Sequence, residues 1–542
     1  MVYQVYPRSF ADADGDGLGD LRGVTAHLDH LAWLGVDALW LSPCFASPQV
    51  DHGYDISDYR AIDPLFGSLA DLDALLAAAH ARGIRVTLDF VPNHTSDQHA
   101  WFRAAVAAGP GSRERARYLF LDGRGPGGDQ PPTNWLSVFG GPSWTRVTEP
   151  DGSAGQWYYH LFAREQPDLD WRNPEVLAEF EQVLRFWLDR GVDGFRIDVS
   201  DALIKDDTWP DTPGGVPVIA KDDDSPVHGI YRALRRVLDA YPGDRMAVVE
   251  AGAPDEVVAL FVRPDEMHLA FNFRFVHAGL DGPGLRAAID ESLAANALVA
   301  APTTWVTDNH DTPRSVTRLA SGGTLRGAYV PTGTAGADGD PGAGFDTGTR
   351  RARAMALVLL ALPGAAYLYN GQELGLPQVD DLPEAALRDP IWERSGHTSR
   401  GRDGCRIPLP WSGDAPPYGF SPPGSPPTWL PQPAGWADLT VASQLADPGS
   451  VLQLYRAALT LRAGSGALGR GALTWVDAPQ GAASPAALVL DLTGGGETVR
   501  VVLNLSVENI VLPPGPVLLS SAPLVDGALP GQSAAWVRIA PR

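Results

Sequence analysis

Residues 194–199 read Gly-Phe-Arg-Ile-Asp-Val. A glycine opens this stretch, the apolar side chains predict a buried strand, and Arg196 stands two residues before Asp198. A nearby cation favours the charged form of a carboxyl group, so Arg196 is expected to hold Asp198 ionised. An ionised carboxylate at the end of a strand is a candidate nucleophile, while a structural Asp–Arg pair that closes the strand is the alternative.

Strand-like and helical segments alternate on both sides of this stretch. Strands are predicted at 2–6, 38–41, 85–90, 194–198, 246–250, 267–271, 303–307 and 365–369. Apolar residues recur at helical spacing in 24–34, 69–82, 175–190, 230–240, 255–262, 285–295, 350–360 and 452–461. Eight strand–helix units predict an α/β fold, namely a (β/α)8 TIM barrel.

The alternation is interrupted after the third strand and ends before the C-terminus. Residues 94–170 are rich in loops and aromatic side chains, which predicts an inserted subdomain. After Gly469 the apolar period becomes two, which is typical of a small antiparallel β domain. We therefore assign the catalytic barrel to residues 1–93 and 171–465, the inserted subdomain to 94–170 and the C-terminal antiparallel β domain to 466–542.

Composition limits the class of partner. The chain has 542 residues and a formal net charge of −23, which argues against nucleic acid or an anionic membrane surface as a partner and for a neutral or cationic one. Its two cysteines make no disulfide framework, and no run of 18 apolar residues predicts a membrane span. No charged-then-apolar leader begins the sequence, so we expect a cytoplasmic protein.

Acidic side chains end three of the predicted strands, at the barrel face where active sites lie. Asp198 and Glu250 provide two carboxyls, and glycoside hydrolysis needs one such group ionised and one protonated. Asp198 fits the ionised one; Glu250 follows three apolar residues, and apolar surroundings raise a carboxyl pKa. Asp311 is a candidate acceptor for sugar hydroxyls. His94 and His310 are candidate donors to ring hydroxyls, although a histidine taken alone is more often a satisfied core or loop residue.

Four segments together resemble the signature regions of the α-amylase family (glycoside hydrolase family 13) of retaining glycosidases: DFVPNH at 89–94, GFRIDV at 194–199, Glu250 at a strand end, and TDNHD at 307–311. Three further segments resemble the oligo-1,6-glucosidase and α-glucosidase branch of this family: YQVYPRSF at 3–10, QPDLD at 166–170 and RDGCRIPLPW at 402–411. The resemblance implies an exo-acting enzyme that removes one terminal glucose. Val199 resembles members that tolerate α-1,6 linkages.

Matched residue by residue, the resemblance implies Asp198 as nucleophile, Glu250 as general acid/base and Asp311 as transition-state stabiliser. It implies a substrate site for the terminal glucose formed by Asp51, Tyr54, His94, Phe139, Phe162, Arg196, His310 and Arg406. Within that site, Arg406 would pair with Asp51 and close the blind end. For the two phenylalanines, core packing is an equal alternative.

An acidic loop lies near the start of the chain. Residues 12–20 read DADGDGLGD, with acids at the first, third and fifth positions and glycine at the sixth, like the first half of a calcium loop. The family branch often holds one calcium here, which implies a structural Ca²⁺ bound by Asp12, Asp14, Asp16, the carbonyl of Leu18, and Asp20. An Asp/Gly turn without metal is the alternative. No cofactor is expected for catalysis.

These features predict an exo-acting retaining α-glucosidase, a hydrolase of maltose- or isomaltose-type oligosaccharides that works through a covalent glucosyl-enzyme. A glucosyltransferase or isomerase of the same family, trehalose-forming or sucrose-using, shares this chemistry until the acceptor arrives. A non-catalytic sugar-binding or partner protein on the same fold is a more remote alternative, because family members with that role typically lose the three carboxylates.

Overall fold

A barrel of parallel strands forms the centre of the protein. The computed structural model describes residues 1–321, 344–476 and 487–540, so parts of the predicted ranges 171–465 and 466–542 lie outside the described residues. Eight strands make one sheet: β1 Val2–Val5, β2 Ala38–Leu41, β3 Arg85–Phe90, β4 Gly194–Ile197, β5 Met246–Val249, β6 Leu269–Ala270, β7 Thr304–Trp305 and β8 Ala365–Tyr369.

The strand order confirms the predicted barrel. Along the sheet it runs β6-β5-β4-β3-β2-β1-β8-β7, and neighbouring strands are parallel. Val2 of β1 pairs with Ala38 of β2 on one side and with Tyr367 of β8 on the other. The edge strands β6 and β7 follow each other in the chain, and the Thr304 hydroxyl donates to the Ala270 carbonyl between them. The sheet is therefore a nearly closed barrel.

Amphipathic helices cover the barrel. In Pro174–Asp189, Asn173 caps the first turn by accepting from the Glu175 N–H, and Phe180 and Trp187 are buried on one face. The α-helices also include Leu21–Ala26, Leu28–Leu34, Leu69–His80, Val227–Asp239, Asp255–Val258, Phe273–His277, Gly282–Ala297, Ser315–Ala320, Phe345–Ala361, Pro390–Arg394, Val441–Ala446 and Val451–Gly464. Within the described ranges, no helix combines the length and hydropathy needed to span a bilayer.

An insertion between β3 and helix Pro174–Asp189 carries its own small sheet. After helix Ala100–Ala108, the strands Phe120–Leu121, Trp144–Thr148 and Ala154–Tyr159 pair antiparallel. This region was predicted to be rich in loops. Its aromatic side chains, among them Trp135, Trp144 and Tyr159, form a separate buried cluster. The insertion therefore presents a packed wall to the barrel rather than a flexible loop.

A second sheet follows the barrel. Its antiparallel strands are Ala472–Val476, Ala487–Gly494, Glu497–Asn504, Val517–Ser520 and Ser533–Ile539, beside the short pair Ile510–Val511 and Ala528–Leu529. The buried indole of Trp536 donates to the carbonyl of Leu357, 3.0 Å away, on helix Phe345–Ala361. The C-terminal sheet is thus packed directly on a barrel helix.

Candidate active site

One buried guanidinium lies at the carboxyl ends of β3, β4 and β5. The strand register pairs Asp89 of β3 with Arg196 of β4, and Glu250 directly follows β5. Nη1 of Arg196 lies 2.9 Å from Asp89 and 2.5 Å from Asp198, and Nη2 lies 2.8 Å from Glu250. Three strands thus deliver three carboxyl groups to one cation.

Asp198 and Glu250, the predicted nucleophile and acid/base, are brought together. Each is 5% exposed, and they contact the two amino groups of the same Arg196 guanidinium. Because a guanidinium is a small planar group, it holds its two carboxyl partners near each other. The two carboxyl groups therefore lie at one point of the site, where they can act on the same bond.

The turn after Asp198 is strained. Val199 has φ +44° and ψ +44°, a left-handed conformation that β-branched residues rarely adopt. It directs the Val199 N–H to the Glu250 carboxylate at 3.2 Å, and the Ser200 N–H to the Glu250 carbonyl at 2.8 Å. A conformation of this kind costs about 1–3 kcal/mol. Here it fixes Glu250 at both its side chain and its main chain.

The protonation of this cluster differs from the sequence prediction. Burial raises the pKa of Asp198 well above its ordinary value; Arg196 lowers it, but Glu250 and Asp89 raise it again. Burial also raises the pKa of Asp89 to about 6. Arg196 favours the ionised form of Asp198, as predicted, but it shares its charge among three acids. The setting of Glu250 is not the apolar one predicted, because Arg196 contacts its carboxylate. The cluster therefore favours binding of one proton among its acids, and two-carboxyl glycoside hydrolysis needs one such proton.

Asp311 has a different electrostatic environment. Its Oδ1 lies 2.9 Å from Arg406 and 3.1 Å from Arg402, and its Oδ2 lies 3.2 Å from His310. Burial opposes ionisation, but His310, Arg402 and Arg406 outweigh it and lower the pKa of Asp311 below its usual range. Asp311 is therefore an ionised acceptor.

The blind end of the site is closed by an arginine other than the predicted one. Nη2 of Arg402 lies 2.8 Å from Asp51, whereas Arg406 directs its Nη2 to Asp311. The predicted pair of Arg406 with Asp51 is wrong. The reason is the 3-10 turn Asp403–Cys405, which separates the two arginines and places the earlier one opposite Asp51.

A small cavity lies among these groups. It is lined by Asp51, Tyr54, His94, Phe139, Phe162, Asp198, Val199, Asp311 and Arg402. Four predicted site residues do not line the cavity but contact residues that do: Arg196, Glu250, His310 and Arg406. Phe139 and Phe162 meet edge to face at 5.3 Å in the core of the insertion and also line the cavity, so both alternatives for them hold.

Neutral imidazoles complete the site. Tyr54 stacks on His310 with ring centroids 5.5 Å apart, and its hydroxyl lies 2.5 Å from Nε2 of that histidine. Burial lowers the pKa of His94 to about 3 and that of His310 well below its ordinary value. Both rings are uncharged at neutral pH and suit hydrogen bonding to hydroxyl groups.

Comparison with known proteins identifies the family of this barrel. Residues 4–471 match the family model of the α-amylase catalytic domain. The chain belongs to the α-amylase family. It is accordingly a glycoside hydrolase, and the predicted resemblance is confirmed.

Relatives of this α-amylase family member carry glucosidase names. A probable α-glucosidase of Rhizobium meliloti (strain 1021) is 36% identical over 505 residues, covering 88% of this chain and 84% of the relative. An oligo-1,6-glucosidase of Parageobacillus thermoglucosidasius is 35% identical over 503 residues, covering 85% and 82%. The crystal structure of the α-glucosyl transfer enzyme XgtA is 34% identical, with TM-score 0.84 and coverage of 99% and 98%.

Two site residues of this family member were missed by sequence reasoning. Arg402 is the first arginine of the segment RDGCR, whereas the family resemblance implies the second, Arg406, as the partner of Asp51. Gln166 is the first residue of QPDLD, a segment that the sequence analysis uses only to identify the family branch. Its buried Nε2 lies 3.2 Å from Asp51 and 3.1 Å from His94. The insertion therefore holds two of the predicted glucose-binding residues through one amide.

The acidic loop brings part of its predicted metal set together. Asp12, Asp14 and Asp20 each place an oxygen within 4.8 Å of the others, while Asp16 lies outside this group among the described residues. Burial and then the neighbouring carboxylates Asp16, Asp20 and Asp12 raise the pKa of Asp14. Clustered carboxylate oxygens with unbalanced negative charge are a donor set that suits Ca²⁺.

Proposed function

We propose that this protein is an exo-acting retaining α-glucosidase, which removes the terminal non-reducing glucose from maltose- or isomaltose-type oligosaccharides. The observation that carries the proposal is the meeting of Asp198 and Glu250 on one guanidinium beside a cavity closed by the Asp51–Arg402 pair. The Asp51–Arg402 pair bounds one end of the cavity, which suits the end of a sugar chain better than an internal segment of a polymer. The names of the α-glucosidase and oligo-1,6-glucosidase relatives support this substrate class.

The first half-reaction uses both carboxyls. The Asp198 carboxylate attacks the anomeric carbon while the bond to the leaving oxygen breaks, and that oxygen takes the proton of Glu250. The product is a glucosyl ester of Asp198 and a free aglycone. Asp311, which its arginine neighbours keep ionised, accepts hydrogen bonds from ring hydroxyls as positive charge develops at the anomeric carbon.

The second half-reaction returns the enzyme to its starting state. Glu250, now ionised, removes a proton from water, and the water oxygen attacks the anomeric carbon. The ester bond breaks and its electron pair restores the Asp198 carboxylate. Two inversions at the same carbon give glucose with its original α configuration. The two half-reactions use the side chains of Asp198, Glu250 and Asp311, and neither is written with a metal.

Replacement of the nucleophile tests the assignment. Asp198→Asn is expected to lower kcat for nitrophenyl α-glucoside at least about 10⁴-fold, because an amide cannot form the ester. Asp207→Asn, an exposed control on the same loop, should keep full activity. NMR of the first glucose released by the wild type should show the α-anomer. Near-normal turnover by Asp198→Asn, or initial release of the β-anomer, would remove the proposal.

Glucosyl transfer or isomerisation is the second candidate. It is favoured by the structural likeness to XgtA and to the isomaltulose synthase mutant of Erwinia rhapontici NX5, which has TM-score 0.85 at 29% identity. The same glucosyl ester would then be attacked by a sugar hydroxyl in place of water. Concentrated maltose and sucrose separate the two candidates: mostly free glucose indicates a hydrolase, and mostly new disaccharide indicates a transferase or isomerase.

We also propose that the acidic loop holds one structural Ca²⁺. Asp12, Asp14 and Asp20 would supply carboxylate oxygens from positions that the loop already clusters. Asp16 and the Leu18 carbonyl, predicted from the sequence, would complete the set. A bound cation there would neutralise the loop and stabilise its fold, and it would take no part in the chemistry at Asp198.

A further inference from the structure

A second cavity lies on the far side of the loop that carries Asp51. Its volume is about 500 Å³, it opens to solvent, and its lining includes Arg8, His52, Arg388 and Trp429. Asp51 faces the glucose cavity while the next residue, His52, faces this second one. The two cavities are therefore separated by a single stretch of chain.

Arg8 is a buried cation without a carboxylate partner. Its exposed fraction is 8%, and no carboxylate of the described residues lies within the 4.0 Å that defines an ion pair. Nη2 donates to Gln49 at 2.6 Å, and the buried Nε has no partner in the described part of the chain. By contrast, Arg196 and Arg402 each contact several carboxylates. The carboxylates of Asp63 and Asp55 act on Arg8 without contacting it, so the described residues compensate its buried charge only in part and an anion at this cavity would complete the compensation.

His52 adds further unpartnered polar atoms. It is 6% exposed, and neither ring nitrogen finds a hydrogen-bond partner among the described residues. Burial lowers the pKa of His52 well below its ordinary value, so the ring is neutral and keeps one N–H to donate. Gln49 and His52 also have positive φ values of 68° and 51°. Backbone strain of this kind is found where a loop is held in place for a ligand.

We propose that this cavity binds a small phosphate-type oxyanion, either free phosphate or the phosphate group of an ester. The guanidinium groups of Arg8 and Arg388 supply charge and donors, and His52 supplies a neutral donor. Trp429 lies over the Arg8 guanidinium at 5.1 Å and holds it in place. Asp16 also lines the cavity and opposes an anion, but the two arginines outnumber it.

This assignment is independent of the proposed glucosidase reaction, because its test measures binding and not turnover. Inorganic phosphate and methyl phosphate are titrated into the full-length protein by isothermal calorimetry, with sodium chloride of equal ionic strength as the reference. Both phosphates should bind with one site per chain and raise the melting temperature. Tighter binding of methyl phosphate would identify an ester as the occupant, and tighter binding of phosphate would identify the free anion.

Charge-removing variants complete the test. Arg388→Gln, at an exposed position, and Arg8→Gln should each weaken phosphate binding at least tenfold. Arg22→Gln removes an exposed arginine that pairs with Asp71 and does not line this cavity, and it should bind phosphate like the wild type. If Arg8→Gln does not fold, Arg388→Gln alone decides. Absence of binding to both phosphates, or equal affinity in Arg388→Gln and Arg22→Gln, would overturn the proposal.

Discussion

The closure of the glucose cavity by Arg402 can be measured against the alternative that Arg406 closes it. The variants needed are Asp51→Asn, Arg402→Met and Arg406→Met, with the two double variants that combine Asp51→Asn with each arginine change. Arg402 contacts Asp51 directly, whereas Arg406 contacts Asp311. A double-mutant cycle on kcat/KM isolates the energy of each pairing.

The structure sets the size of the expected coupling. The Nη2–Oδ1 distance between Arg402 and Asp51 is 2.8 Å, and the two residues are 7% and 4% exposed. A charge-assisted hydrogen bond at such a site is worth about 1.5–3 kcal/mol, which is about 10- to 150-fold in kcat/KM. Arg406 acts on Asp51 without contacting it and shares Asp311 with Arg402, so the Asp51–Arg406 coupling should be smaller than the Asp51–Arg402 coupling.

The assay is nitrophenol release from nitrophenyl α-glucoside at several substrate concentrations. Each variant is first checked by circular dichroism and thermal melting, so that a folding defect is not read as lost binding. Arg402→Met and Asp51→Asn should each reduce kcat/KM, and the double variant should be little worse than the poorer single one. A coupling between Asp51 and Arg406 that equals or exceeds the coupling with Arg402 would refute the assignment.

Three further outcomes are expected. Asp89 has a native pKa of about 6, above the value of about 3.9 for an unfolded chain, so its contribution to stability is full below about pH 4 and is lost as the pH rises through 6. Asp89→Asn should therefore flatten the plot of melting temperature against pH between about pH 4 and 6. An unchanged slope in this variant would contradict the raised pKa. Gln166→Leu should raise KM about 10- to 100-fold, because it removes a hydrogen-bond donor to the buried Asp51. Gln98→Leu, at an exposed position, should leave KM unchanged. Equal KM values in the two variants would exclude a role of Gln166 in holding Asp51. Excess EDTA should lower the melting temperature and leave the initial kcat unchanged, and added Ca²⁺ should restore the lost stability; no change in melting would argue against a metal in the acidic loop.

Much of the barrel could be predicted from sequence because its central strands are apolar runs with sharp ends. Strands β2, β3 and β8 begin and end at the predicted residues. The predicted strands at 267–271 and 303–307 shrink to the two residues each of β6 and β7, because these edge strands lack a ladder on one side. The predicted helix at 24–34 is two helices, since the chain leaves helical geometry at His27.

The site was less predictable because side-chain pairing depends on approach angles that a sequence does not contain. Two arginines four residues apart both reach carboxylates of the site, and the sequence offers no rule for which carboxylate each will meet. The charge state of the catalytic carboxyls is hard to predict for a related reason. The sequence shows Arg196 next to Asp198, but only the folded chain brings Asp89 and Glu250 to the same cation.

The contact of Trp536 with the barrel limits how this enzyme can be cut into parts. The strand Ser533–Ile539 packs on helix Phe345–Ala361, whose C-terminal half is apolar and buried. A chain shortened before Ala472 would expose the part of the helix that the strand covers, and large exposed apolar patches drive association. The trailing sheet is consequently an obligatory partner of the catalytic unit, and exchanging it for the equivalent part of a relative would require redesign of the helix surface beneath it.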